Sequence, residues 1–164
     1  MRRDSVGLHL RLTNGKMVTV VDDVVDTAGA WPTWFHFMGV SSVLGYYVLF
    51  AQYKEGSSIY LVNGRTGWRV MVDGLPVASP DGSRFVTTSL SDLYYNPERL
   101  QVWRVDRDTL RREWGLTPER SYPHHVRWLS NRTFEFARTN GFVPEGVDTA
   151  QLDKMGHWVT SAKR

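Results

Sequence analysis

The side chains best equipped for chemistry in this chain are its five histidines and its clustered carboxylates, because it has no cysteine. The missing thiol removes disulfides, thiolate nucleophiles, Cys-ligated zinc and cysteine-held iron–sulfur clusters together. His124 and His125 stand side by side after Pro123 and invite a metal reading or, with an Asp, a hydrolytic one. Successive residues of a regular strand point to opposite faces, so both rings reach one ion only if the strand is irregular there. On a regular strand they are ordinary strand and loop residues, and no metal or other cofactor is expected. The His-Glu-x-x-His pattern of zinc hydrolases does not occur. His36, between Trp34 and Met38, reads as a packed ring, and His9 and His157 as exposed strand positions. Asp22, Asp23 and Asp26 form the densest acidic group, yet a calcium loop needs a Gly at its bend and a bidentate Glu at set spacing. Neither follows, so the group reads as a solvated strand exit. A Gly-x-Ser-x-Gly elbow, a phosphate-cradling Gly-x-x-x-x-Gly-Lys loop and a Gly-x-Gly-x-x-Gly fingerprint are all missing. No catalytic residue is assigned. A non-enzymatic role is expected, with a hydrolase using His124 or His125 as the alternative.

Aromatic residues reach 13%, seven each of Trp, Tyr and Phe, and they cluster: Trp31, Trp34, Phe35 and Phe37, then Tyr46 and Tyr47, then Tyr94 and Tyr95. Adjacent strand positions cannot all face one interior, so some of these rings are exposed or cover a second packing layer. Exposed Tyr or Trp beside Arg is the composition of a protein-binding surface or a sugar-stacking groove. The segment Ser91–Arg99 interrupts a hairpin between two strong strands and mixes aromatics with polar groups, as recognition loops do. The candidate binding residues are therefore Trp31, Trp34, Phe35, Tyr94, Tyr95 and Arg99. Another protein is the expected partner, and carbohydrate is a further alternative.

The net charge of +3 is spread in alternating signs, as in Arg104, Asp106, Arg107, Asp108, Arg111, Arg112 and Glu113, so no nucleic-acid partner is expected. The longest apolar stretch, Val40 to Tyr53, contains Ser41, Ser42, Gly45 and Gln52 and falls short of the roughly 20 residues of a membrane-spanning helix. No membrane association is expected. The opening Met1-Arg2-Arg3-Asp4-Ser5 leads into no apolar export segment, which slightly favours the cytoplasm over a periplasmic product with its leader removed.

These candidates must be positioned by strands. With 164 residues and 41% apolar content, the chain is long enough for one domain, 1–164, with a sizeable core. Leu8, Leu10 and Leu12 alternate with His9 and Arg11, and Asn14-Gly15 then turns into Met17 to Val21, predicting a hairpin over 7–22 closed by a type I′ turn. Similar hairpins run through Asn63–Gly67, through Asp106–Thr109 and, more weakly, through Asp153–Gly156, at intervals of roughly 43 to 50 residues. Between them lie hairpins from Trp34 to Tyr53, from Leu75 to Leu90 and from His124 to Arg138. Grouped in fours, they give three units at about 34–72, 75–114 and 124–160, with the first hairpin left over. The class is all-β, built of antiparallel meanders.

The segment Pro76-Val77-Ala78-Ser79-Pro80-Asp81-Gly82-Ser83-Arg84-Phe85-Val86 resembles the WD40-like, TolB-type β-propeller repeat, with its Ser-Pro-Asp-Gly turn between the first two strands of a blade. Leu100 to Val105, the turn Asp106–Thr109 and Leu110 are similar to the third strand, turn and fourth strand of that blade. Ile59-Tyr60-Leu61-Val62-Asn63 takes the equivalent place in the preceding unit, and Ser130-Asn131 stands at the Ser-Pro-Asp-Gly position of the following one without its Pro or Gly. The resemblance covers about 34–138 and implies a partial or small β-propeller-like arrangement and a role in recognising other proteins. Closed propellers need about four blades or more. Three outcomes remain open: an arc that forms a homodimer through its sheet edges, a fourth blade completed by the N-terminal hairpin and the C-terminal tail, or collapse into a β-sandwich or barrel.

Overall fold

The computed structural model describes residues 1–23, 33–54, 56–89, 98–117, 121–140 and 143–162. These residues form strands joined by turns, without a helix, and every strand pairing is antiparallel. The chain divides into two compact units, Met1–Val72 and Asp73–Arg164.

In the N-terminal unit, β1 (Arg2–Arg3), β2 (Gly7–Arg11) and β3 (Met17–Val21) form a three-stranded sheet in that order. A second sheet runs β4 (Trp34–Ser41), β5 (Tyr46–Tyr53), β6 (Gly56–Asn63), β7 (Arg69–Val72), each strand beside its predecessor. Alternation decides what is buried: Leu8, Leu10 and Val20 from the first sheet meet Phe35, Leu49, Ala51 and Val62 from the second in one apolar core. Asp22 fastens the two sheets. Its carboxylate accepts the Phe35 N–H at 2.8 Å and pairs with Arg3, whose guanidinium also donates to the Phe35 carbonyl at 2.7 Å. The solvated strand exit expected at the acidic group therefore holds a buried clamp at Asp22, while Asp23 bridges Thr33 through its backbone and Asp26 lies outside the described residues.

The turn at Asn14-Gly15 is a hairpin of another kind than expected. Leu12 and Lys16 close a three-residue loop in which Gly15 has φ +83° while Asn14 keeps negative φ, so it is a type I turn followed by a left-handed glycine and not type I′. The Asn14 side chain explains the choice: its Oδ1 accepts the Lys16 N–H, and its amide donates to the Arg65 carbonyl, docking this tip on the β6–β7 turn. Asp153–His157 repeats the device with Gly156 at φ +85°.

Gly7 is required by contact. A Cβ there would stand 2.1 Å from the Val20 carbonyl oxygen, and φ is +154°. Gly7→Ala is expected to destabilise the N-terminal unit by about 2 kcal/mol or more, measured as a lowered urea midpoint. A midpoint equal to that of the parent chain would show that the strand gives way freely.

The C-terminal unit holds two four-stranded meanders. One contains β8 (Val77–Ala78), β9 (Arg84–Thr88), β10 (Leu100–Asp106) and β11 (Thr109–Leu116). The other contains β12 (Tyr122–Ser130), β13 (Thr133–Asn140), β14 (Val143–Leu152) and β15 (Trp158–Ala162). Val86, Leu100 and Val102 pack against Phe134, Phe136, Ala150, Leu152 and Trp158. In the Ser-Pro-Asp-Gly turn, Asp81 Oδ1 accepts from the Ser79 hydroxyl and from both the N–H and hydroxyl of Ser83. Four sheets thus stand where three and a leftover hairpin were expected. The extra strand of the first sheet is β1, and the C-terminal strand pairs with β14 in its own sheet.

Candidate protein-binding surface

Ladder hydrogen bonds alternate along an antiparallel pair, so every second residue of an edge strand turns its N–H and C=O away from the sheet. In the β2–β3 hairpin the bonded ends are Leu12 with Lys16 and Val6 with Asp22. Met17, Thr19 and Val21 accordingly direct their backbone groups outward along the free edge of β3. In β7, the bond from Asn63 N–H to the Trp68 carbonyl sets the phase and leaves Arg69 and Met71 outward. Among the described residues both strands are terminal in their sheets.

The two edges flank an open groove of about 420 Å³ lined by Val18, Thr19, Val20, Val21, Gly67, Trp68 and Arg69. Four large apolar side chains on these strands or next to them remain exposed: Met17 at 55%, Val21 at 53%, Trp68, just before β7, at 40% and Met71 at 51%. Lys16, Arg65 and Arg69 are exposed around them, and no acidic residue occurs within 16–21 or 64–72. Sequence reading passed over these residues. Their signal was there, since Met17-Val18-Thr19-Val20-Val21 is apolar on both faces of a strand whose core needs only one.

The residues singled out from the sequence fall in different places. Trp34 is exposed on the outward face of edge strand β4, together with His36, Met38 and Val40. His36 is therefore a surface ring 6.1 Å from Phe50 and not a packed histidine. Phe35, its neighbour on the other face, is a core residue set edge-on to Tyr60 at 5.3 Å. Arg99 is also buried, its guanidinium 3.7 Å from the centre of the Tyr122 ring, so it is taken up in packing and not offered at a surface. Trp31, Tyr94 and Tyr95 lie outside the described residues.

No carboxylate among the described residues lies within salt-bridge distance of His124 or His125. Among the described residues the histidine–carboxylate contacts are His9 with Asp4 at 2.7 Å and His157 with Asp153 at 3.9 Å. His9 is half-buried and not an exposed strand residue, its other nitrogen lying 3.0 Å from Thr19 Oγ1. Asp4 also accepts the Val6 and Gly7 N–H groups, closing the turn between β1 and β2. The Val6 N–H and His9 hold its carboxyl below the usual aspartate value. His157 is exposed, in the turn before β15. No group of three or more His, Asp or Glu among the described residues is placed to hold a metal ion, and no helix there is long and apolar enough to cross a membrane.

By fold this is an all-β chain of four small antiparallel sheets. Comparison with protein-family models, curated proteins and solved structures finds no match.

Proposed function

We propose that the chain is a non-catalytic protein-binding module that takes an extended, acidic and apolar peptide along the edges of β3 and β7. The observation that carries this reading is the groove lined by Val21, Trp68 and Arg69 between two strand edges that are unpaired among the described residues, with exposed Met17 and Met71 on the same two strands. An extended peptide added to an open edge gains main-chain hydrogen bonds, and alternate side chains enter the flanking apolar surface. Its acidic residues meet Lys16, Arg65 and Arg69, giving orientation and steering. The likeness of residues 34–138 to propeller repeats, a class used for protein recognition, supports the same role.

An eight-residue peptide alternating Glu with Val, capped at both ends, is a suitable probe. It is expected to shift Trp68 emission and to slow hydrogen exchange at Thr19, Val21, Arg69 and Met71. A Lys–Val counterpart is expected to bind at least tenfold more weakly. Val21→Pro or Met71→Pro removes an outward N–H without touching an internal ladder bond, and each is expected to weaken binding about tenfold. Unchanged affinity in both proline variants, or edge amides protected by self-association in place of peptide, would remove the proposal.

A further inference from the structure

We propose that His124 and His125 form a two-imidazole site for a borderline divalent cation, of the Zn²⁺, Cu²⁺ or Ni²⁺ kind. On a regular strand consecutive side chains diverge. In β12 the register with β13 slips between His124 and Arg127, and His125 takes φ +48°, a left-handed conformation that costs a non-glycine residue. The bulge turns the second ring back toward the first. Their centroids lie 4.5 Å apart at an interplanar angle of 62°. Two imidazoles bound in cis to one ion, with metal–nitrogen distances of about 2.0–2.1 Å, have centroids roughly 4.5–5 Å apart, a spacing the pair already has, and ring rotation from this edge-to-face contact would turn their nitrogens to one ion.

The hydrogen bonding around His124 adds a second, independent observation. Its Nδ1 lies 3.0 Å from the Tyr122 carbonyl oxygen, which can only accept, so Nδ1 carries the proton and the Nε2 lone pair is left for a ligand. Metal-binding histidines are commonly fixed in this way by a carbonyl or carboxylate behind them. His124 is half-buried and His125 exposed, which leaves the remaining coordination positions open to water or to a partner's side chain. Nitrogen donors select zinc, copper and nickel over calcium and magnesium.

The test is titration of the whole chain with Zn²⁺, followed by calorimetry and by the imidazole C–H resonances. One ion per chain is expected, with the His124 and His125 resonances moving together while those of His9, His36 and His157 stay in place. His124→Ala is expected to weaken binding at least tenfold. His125→Gly, whose backbone suits φ +48°, is expected to do the same while keeping the circular dichroism of the parent. His157→Ala is expected to leave affinity unchanged. Absence of any shift at millimolar Zn²⁺, undiminished binding in His125→Gly, or equal weakening by His157→Ala would overturn the assignment.

Discussion

Phe134→Ala is expected to destabilise the C-terminal unit by about 3–5 kcal/mol, the range for deleting a fully buried aromatic ring. Phe134 has no exposed surface and sits 5.1 Å from Trp128, 5.4 Å from Trp158 and 6.1 Å from Phe136, measured between ring centres. Trp158 in turn lies 6.3 Å from Trp114. The ring is thus the shared neighbour of side chains from β12, β13 and β15, and its loss opens a cavity that three tryptophans line or adjoin. Indole emission reports directly on this site, so urea unfolding followed by fluorescence checks the effect. A loss below about 1 kcal/mol would mean that the surrounding rings close the gap, and that the aromatic cluster is looser than its centroid spacings indicate.

Glu113→Leu is expected to cost roughly 3 kcal/mol for a different reason. The Glu113 carboxylate, on β11, accepts Arg84 Nε at 2.7 Å and Arg84 Nη2 at 3.3 Å, and the Trp158 indole N–H reaches it at 3.4 Å. The side chains of Arg84 and Glu113 are 14% and 12% exposed, so removing the carboxylate leaves a largely buried guanidinium without its anion. Arg104, at 3.6 Å and half exposed, adds little. Burial pushes the Glu113 carboxyl up, but the hydrogen bonds and charge of Arg84, the Trp158 donor and the Arg104 charge together outweigh it. The group titrates below its ordinary value of 4.5. A carboxyl lowered on folding contributes stability that is complete above its unfolded pKa and disappears as the pH falls through its folded one. The stability gap between the parent and Glu113→Gln is therefore expected to be widest near pH 7 and to shrink below pH 4. Urea midpoints at pH 7, 5 and 3 measure it, and a constant gap would deny the carboxylate that role.

The strands that the sequence announced were those with both alternation and a turn signal. Leu8-His9-Leu10 with Asn14-Gly15, and Ile59 to Val62 with Asn63-Gly64, lie where expected because an apolar run ends at a turn signal in each, even where the turn type differs or burial stops alternating. Strand β1 was invisible because Arg2 and Arg3 carry no apolar alternation. The first half of β14 was missed because Val143-Pro144-Glu145-Gly146 reads as a loop. Pro144 is tolerated because β15 pairs only with Asp148–Leu152, which leaves residues 143–147 at an edge.

The site residues were harder to read for physical reasons. Trp34 and Phe35 are equivalent by composition, and only packing against Leu8 and Leu49 decides which ring turns inward. A charged Arg99 argues for exposure unless the face of Tyr122 is known to cover it. Nothing in the pair His124-His125 announces a left-handed backbone, which His125 adopts where the two strands slip in register.

The cations bordering the β3 and β7 edges also bear on how copies of the chain meet one another. A bare strand edge is a template on which an identical chain can stack, and repeated stacking grows a filament. Parallel, in-register stacking of two copies on these edges would bring Lys16, Arg65 and Arg69 against their own counterparts, and like charges facing across a forming ladder oppose it. The same cations therefore discourage self-templated growth in that register, whatever else the edge meets.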